Sequence, residues 1–202
     1  MKIYFSPASP YVRKCMIVAH ELGLVSQIEK LPSAANPVTR DQTVVSANPL
    51  GKVPTLLTDK GQVLFDSRVV CEYLNDLGNG NLFPKEVDLK WQALTEQSLA
   101  DGILDAALLA RYENAARPEA LRWAAWTTGQ MDKIESGLGY FEAVIGVRGK
   151  AFDIGTLTLV CALGYLDFRF PDYAWRGAYP AVASWFEQVS KRPSVAGTKP
   201  HA

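Results

Sequence analysis

The sequence predicts two domains of different class, an α/β domain at the amino end and an all-α domain after it. Three observations carry this. Short apolar runs bounded by turn residues recur as far as Phe65, strand signals then stop, and from Val87 onward the apolar residues return only at helical spacing. At 202 residues with 48% hydrophobic content, the chain has ample material for a buried core.

Lys2 to Phe5 reads as a first strand. Val12, Cys15, Met16, Ala19 and Leu22 then recur at three- and four-residue steps until Gly23 supplies a stop, which is the pattern of an amphipathic helix. Gln27 to Leu31 gives a second strand, followed by a polar, proline-containing loop through Pro32 and Pro37 to Asn48-Pro49. Thr55 to Thr58 and Val63 to Phe65 flank Asp59-Lys60-Gly61-Gln62, a hairpin signal with glycine where the turn needs a positive φ. Asp66 caps a helix whose expected apolar face is Val69, Val70, Tyr73, Leu74 and Leu77. The order βαβ then ββα is that of a thioredoxin-like domain.

Gly78-Asn79-Gly80-Asn81 breaks that helix, so the expected division is a first domain over 1–78, a linker over 79–87 and an all-α helical domain over 88–202. Leu89 to Tyr112 is rich in Ala and Leu, Pro118 suits the first turn of a second long helix, and Phe152 to Phe168 is apolar almost all round, as befits the middle of a bundle. Asp153 and Thr156 read as an N-cap pair for that central helix. Pro180 starts a further helix and Arg192-Pro193 ends it.

Lys plus Arg and Asp plus Glu both number 21, so no net field draws the chain to nucleic acid or an anionic membrane, and neither is expected as a partner. No apolar run is long enough to span a membrane and Met1-Lys2-Ile3-Tyr4 lacks a signal-peptide pattern, which makes a cytoplasmic location the expectation. Cys15, Cys71 and Cys161 each sit in a helical apolar pattern and read as core residues. With only His20 and His201, neither a histidine triad nor a metal site is expected.

Four places carry candidate chemistry. Val53 precedes Pro54 at the start of a strand, where its backbone is free to pair with an extended ligand or simply to form a turn. Asp66 and Ser67 open a helix, whose oriented amides suit a carboxylate; Asp66 is also a plain cap or a partner for an ammonium. Lys52 offers a charge to a second carboxylate or to solvent. Ser9, in Ser9-Pro10-Tyr11-Val12, stands at a strand-to-helix junction where glutaredoxins carry CPYC. A serine there cannot form a disulfide, but it can cap the helix or donate a hydrogen bond to a bound thiolate.

The motifs SPYVRK, NPLGKVP and FDS resemble the binding site of cytosolic glutathione transferases, and the similarity extends over essentially the whole chain; ADGILDA and GYLDFR in the helical half are similar to a bacterial subgroup. The resemblance implies an enzyme that takes glutathione as co-substrate and joins its sulfur to a small electrophile, usually as a homodimer. It implies Ser9 as the thiol-activating residue, with Tyr4 second and Tyr11 third; Arg13, one turn into the same helix, either raises the local positive potential or is a solvated or internally paired side chain. Ser67 and Asp66 would take the γ-glutamyl group, Val53 before Pro54 the cysteinyl backbone, and Lys52 the glycyl carboxylate. Asp101, or Asp105 four residues on, would reach the γ-glutamyl ammonium across the dimer, and Tyr112, Tyr165, Phe168 and Arg169 would lie near the second substrate. The alternative is a glutathione-binding or regulatory protein on the same scaffold with little or no transferase activity.

Overall fold

The structure, a computed structural model, describes all residues from 1 to 202. Two compact units divide the chain, Met1–Phe83 together with Gly197–Ala202, and Pro84–Ala196. The tail from Gly197 thus belongs with the first unit, whereas the sequence reading kept it with the helical half.

The first unit holds a four-stranded sheet in the order β2-β1-β3-β4, built from β1 (Lys2–Phe5), β2 (Glu29–Pro32), β3 (Thr55–Leu57) and β4 (Val63–Leu64). β1 runs parallel to β2, with Tyr4 beside Leu31, and antiparallel to β3, with Tyr4 beside Thr55. β4 closes the hairpin on β3 through a turn in which Gly61 has φ 78°, as the sequence anticipated. Helices α1 (Pro10–Glu21) and α3 (Ser67–Leu77) pack on each other, and a short α2 (Gln42–Val45) lies in the loop between β2 and β3. The loop was expected to be irregular; Asp41 caps this extra turn by accepting the Thr43 N–H at 2.9 Å.

Ile3 and Leu56 on the sheet, Val12, Cys15, Met16 and Ala19 on α1, and Val70, Cys71 and Leu74 on α3 are fully or almost fully buried. The buried face of α3 is therefore rotated from the expected one. Ser67, Val70, Cys71, Leu74 and Asn75 point inward, while Val69 and Leu77 are 46% and 45% exposed. Small side chains explain the choice, since Cys71 Sγ meets Cys15 Sγ at 3.8 Å and Cys15 Sγ meets the Ser67 carbonyl at 3.9 Å, an approach bulkier residues would forbid.

The second unit is helical throughout: α4 (Val87–Ala115), α5 (Ala124–Arg148), α6 (Ile154–Arg169), α7 (Trp175–Ala178), α8 (Pro180–Val189) and α9 (Pro193–Ala196). α4 packs along both α5 and α6, and α6 is buried on nearly every side, as its sequence required. Its first turn lies against α4, where a Cβ on Gly155 would stand 2.8 Å from the Ala93 carbonyl oxygen. Pro118 does not open α5. It precedes a single 3₁₀ turn, Glu119–Leu121, and the helix begins later because the buried Glu113 carboxylate on α4 accepts the Trp123 N–H at 2.8 Å. Pro193 likewise opens α9 instead of closing α8, which stops at Val189.

Candidate functional site

Topology brings the candidates of the first unit to one end of the sheet. The carboxyl end of β1 leads to Ser9, the amino end of antiparallel β3 is preceded by Lys52, Val53 and Pro54, and β4 leads to Asp66 and Ser67. α1 and α3 both begin there, so both helices turn their unpaired amides and positive dipole ends toward the same side.

Ser9 is the N-cap of α1. Its Oγ accepts the Val12 N–H at 3.2 Å, and its own N–H is held by the Ser6 carbonyl at 3.1 Å. The hydroxyl proton has no acceptor within the chain, so capping leaves the donor unused. Tyr4, on β1, and Tyr11, in the first turn of α1, are both half-buried, and Tyr11 is already engaged. Arg13 and Lys14 are buried on α1 and each has a partner, so neither is a solvated side chain.

The Val53–Pro54 peptide is cis. Val53 N–H and C=O enter no hydrogen bond within the chain, while the residues around it are firmly tied. Asn48, which the sequence placed in the motif but gave no task, does the tying. Its buried side chain donates to the Thr55 hydroxyl at 3.0 Å and to the Lys52 carbonyl at 3.2 Å, and accepts the Leu50 N–H at 3.0 Å. Thr55 Oγ1 adds a bond to the same Lys52 carbonyl at 2.8 Å. The Lys52 side chain itself is exposed.

Asp66 caps α3, accepting the Arg68 N–H at 2.9 Å, and pairs with the Arg68 guanidinium at 2.7 Å. Arg68 holds the Asp66 carboxyl below its usual range against the opposing push of burial, with a smaller contribution from the Lys14 charge. Ser67 is buried, and neither its N–H nor its hydroxyl is used within the chain. Asp101 stands in the second unit, on α4, and is buried and engaged; Asp105, one turn on, is exposed and also engaged.

Tyr112 on α4 and Tyr165, Phe168 and Arg169 on α6 also belong to the second unit. Tyr165 is buried, and that burial pushes its hydroxyl up to about 12. Arg169 stacks its guanidinium carbon 3.9 Å from the Phe168 ring centroid.

Residues 8–77 match the family model "Glutathione S-transferase, N-terminal domain" and residues 124–188 match "Glutathione S-transferase, C-terminal domain". The Escherichia coli GST-like protein YibF is 33% identical over 205 aligned residues, which cover 99% of this chain and 98% of that one. A glutathione transferase family member from Pseudomonas fluorescens Pf-5, solved with bound glutathione, is 44% identical and superposes with a TM-score of 0.96 over 100% of this chain and 99% of its own. A structure of a Pf-5 family member with bound S-(propanoic acid)-glutathione superposes with a TM-score of 0.92 at 44% identity over 99% of both chains. Full-length similarity at this level, together with a match to each domain in its proper place, makes the chain a member of the glutathione S-transferase family.

Proposed function

We propose that the chain is a glutathione transferase that binds glutathione at the end of the sheet where α1 and α3 begin, stabilises its thiolate through Ser9, and joins the sulfur to a small electrophile. The observation that carries this reading is that four unused donors on three residues share that end: the Ser9 hydroxyl proton, the Val53 N–H, and the Ser67 N–H and hydroxyl. Glutathione in the related Pseudomonas structure supports the choice of ligand.

In this reading the Ser67 amide and hydroxyl hold the γ-glutamyl carboxylate at the positive end of α3. Asp66, with lone pairs beyond those given to Arg68, takes the ammonium, and Asp101 adds a further contact in a homodimer. Val53 pairs with the cysteinyl backbone as one rung of a strand, Pro54 fixing the turn, and Lys52 meets the glycyl carboxylate. The sulfur then falls to Ser9. One charge-assisted hydrogen bond with the dipole of α1 lowers a thiol pKa of about 8.5 by roughly one to two units, at about 1.4 kcal/mol each.

The reading extends to a homodimer in the cytoplasm. Exposed apolar side chains on each unit, Leu50 and Val69 on the first and Leu89 and Trp91 on the second, support self-association, and three buried cysteines that form no disulfide suit a reducing compartment. Calorimetry with glutathione followed by turnover with chlorodinitrobenzene tests the core of it. Binding with conjugation that falls about tenfold or more in Ser9→Ala is expected. Binding without conjugation would leave a glutathione-binding protein of the regulatory kind, and no binding would remove both.

A further inference from the structure

The helical unit contains a basic cluster with no acid to balance it. Arg111 and Tyr112 are adjacent near the carboxyl end of α4, and Tyr165 and Arg169 lie one turn apart on α6, the helix packed along α4. The four side chains sense one another: Arg111, Tyr112 and Arg169 all act on the Tyr165 hydroxyl, and burial, aided by the Arg111 charge, holds Arg169 below its usual range. Arg169 Nε is shut off from solvent without a hydrogen-bond partner.

The nearby carboxylates on both helices are committed elsewhere. Glu113 pairs with Arg117 at 2.7 Å and accepts the Trp123 backbone N–H, while Asp167 takes both terminal nitrogens of Arg176 at 2.7 Å and the Trp175 indole N–H at 3.0 Å. Neither Arg111 nor Arg169 forms an ion pair with any carboxylate of the chain. Two like charges drawn together beside a buried tyrosine, with no counter-ion, are unfavourable until an anion arrives.

We propose that Arg111, Tyr112, Tyr165 and Arg169 form a carboxylate-binding site for the electrophilic co-substrate, so that this enzyme selects small electrophiles bearing an acid. Two guanidinium forks match a carboxylate in plane and charge, the tyrosine hydroxyls add donors, and the Phe168 ring stacked against Arg169 orients that fork. The substrate role rests on the transferase reading. The binding site does not, since an unreactive acid should occupy it without glutathione.

The probe is dinitrobenzoate, compared with the neutral dinitrobenzamide, binding to the full-length protein by calorimetry. The wild type is expected to prefer the acid by about tenfold or more, and Arg111→Gln and Arg169→Gln to erase that preference, with Arg169→Lys intermediate. Arg111 is half-exposed, so its variant carries the test should Arg169→Gln lose its circular dichroism signature. With glutathione present, chlorodinitrobenzoate reports the substrate role. The thiolate sulfur bonds to the ring carbon, the carbon–chlorine bond breaks, and chloride leaves with its electron pair. The acid-over-amide ratio in kcat/KM is expected to fall about tenfold in Arg111→Gln. Equal affinity for acid and amide, or an acid preference that survives both glutamine variants, would overturn the proposal. If arginine-dependent dinitrobenzoate binding persists while glutathione fails to bind, the thiol reading falls and the anion site stands.

Discussion

Two helices in this molecule start the same way and to opposite effect. α3 begins at Asp66 and α6 at Asp153; each aspartate accepts backbone amides from the first turn, and each is paired with an arginine. At α6 the arrangement is closed. Asp153 accepts the Gly155 and Thr156 amides at 3.0 and 3.2 Å, Thr156 Oγ1 accepts the Asp153 N–H at 3.1 Å, and Arg148 binds the remaining oxygen. Arg148 also lies 3.1 Å from Glu96 and 3.3 Å from the half-buried Gln92 side chain, with the Arg148 and Glu96 side chains almost out of solvent. At α3 the aspartate and its arginine are exposed, and the next residue, Ser67, keeps an unused amide and hydroxyl. A terminus whose capping side chains are tied to one another fastens a core, and one that leaves donors unused is free to take a ligand.

The largest effect should come from the closed end. Asp153→Ala leaves the buried Arg148 charge without that partner and removes the cap, and is expected to cost about 3–5 kcal/mol in urea unfolding, whereas Asp66→Ala should cost only about 1 kcal/mol. Comparable losses at the two positions would break the comparison.

The two ends should also answer pH in opposite directions. Burial raises the Glu96 carboxyl above 4.5, with Arg148 opposing and Asp153 reinforcing, so stability from neutral Glu96 is complete below that value and declines as pH rises through its folded pKa. The depressed Asp66 carboxyl contributes above 3.8 and loses its contribution only as pH falls through its lower folded value. Glu96→Gln is expected to flatten the first trend in unfolding curves taken across the acid range, leaving the second in place.

Ligand binding reverses the ranking. Asp66→Ala or Ser67→Ala should weaken glutathione about tenfold by calorimetry, against no measurable change for an Asp153 variant that still folds, such as Asp153→Asn. The smallest effect belongs to Lys52→Ala, at about twofold, because an exposed ammonium is screened by solvent.

What the sequence made legible follows the same division between local and distant chemistry. The strands, the caps at Ser9, Asp66 and Asp153, and the glycine turn at Gly61 were readable because a residue and its near neighbours decide them. The inward face of α3 was not, since two apolar stripes compete along that helix and contact with Cys15 on α1 selects the one with smaller side chains. The start of α5 was misplaced at Pro118 because Glu113, ten residues before Trp123, supplies the anchor. In the site itself, motifs marked Val53, Pro54, Asp66 and Ser67, but the buried Asn48 that braces their loop, the Arg68 pairing of Asp66, and the acid-free cluster around Arg111 depend on contacts that spacing does not encode.

Ser9 has one proton left to give. An ultraviolet titration of the thiolate of glutathione bound to the wild type and to Ser9→Ala measures it directly. The expected result is a bound thiol roughly one to two units more acidic than the free value of about 8.5, moving back by about one unit in the variant. A bound thiol that titrates at the free value in the wild type, or at the same depressed value in both proteins, would contradict the role given to Ser9.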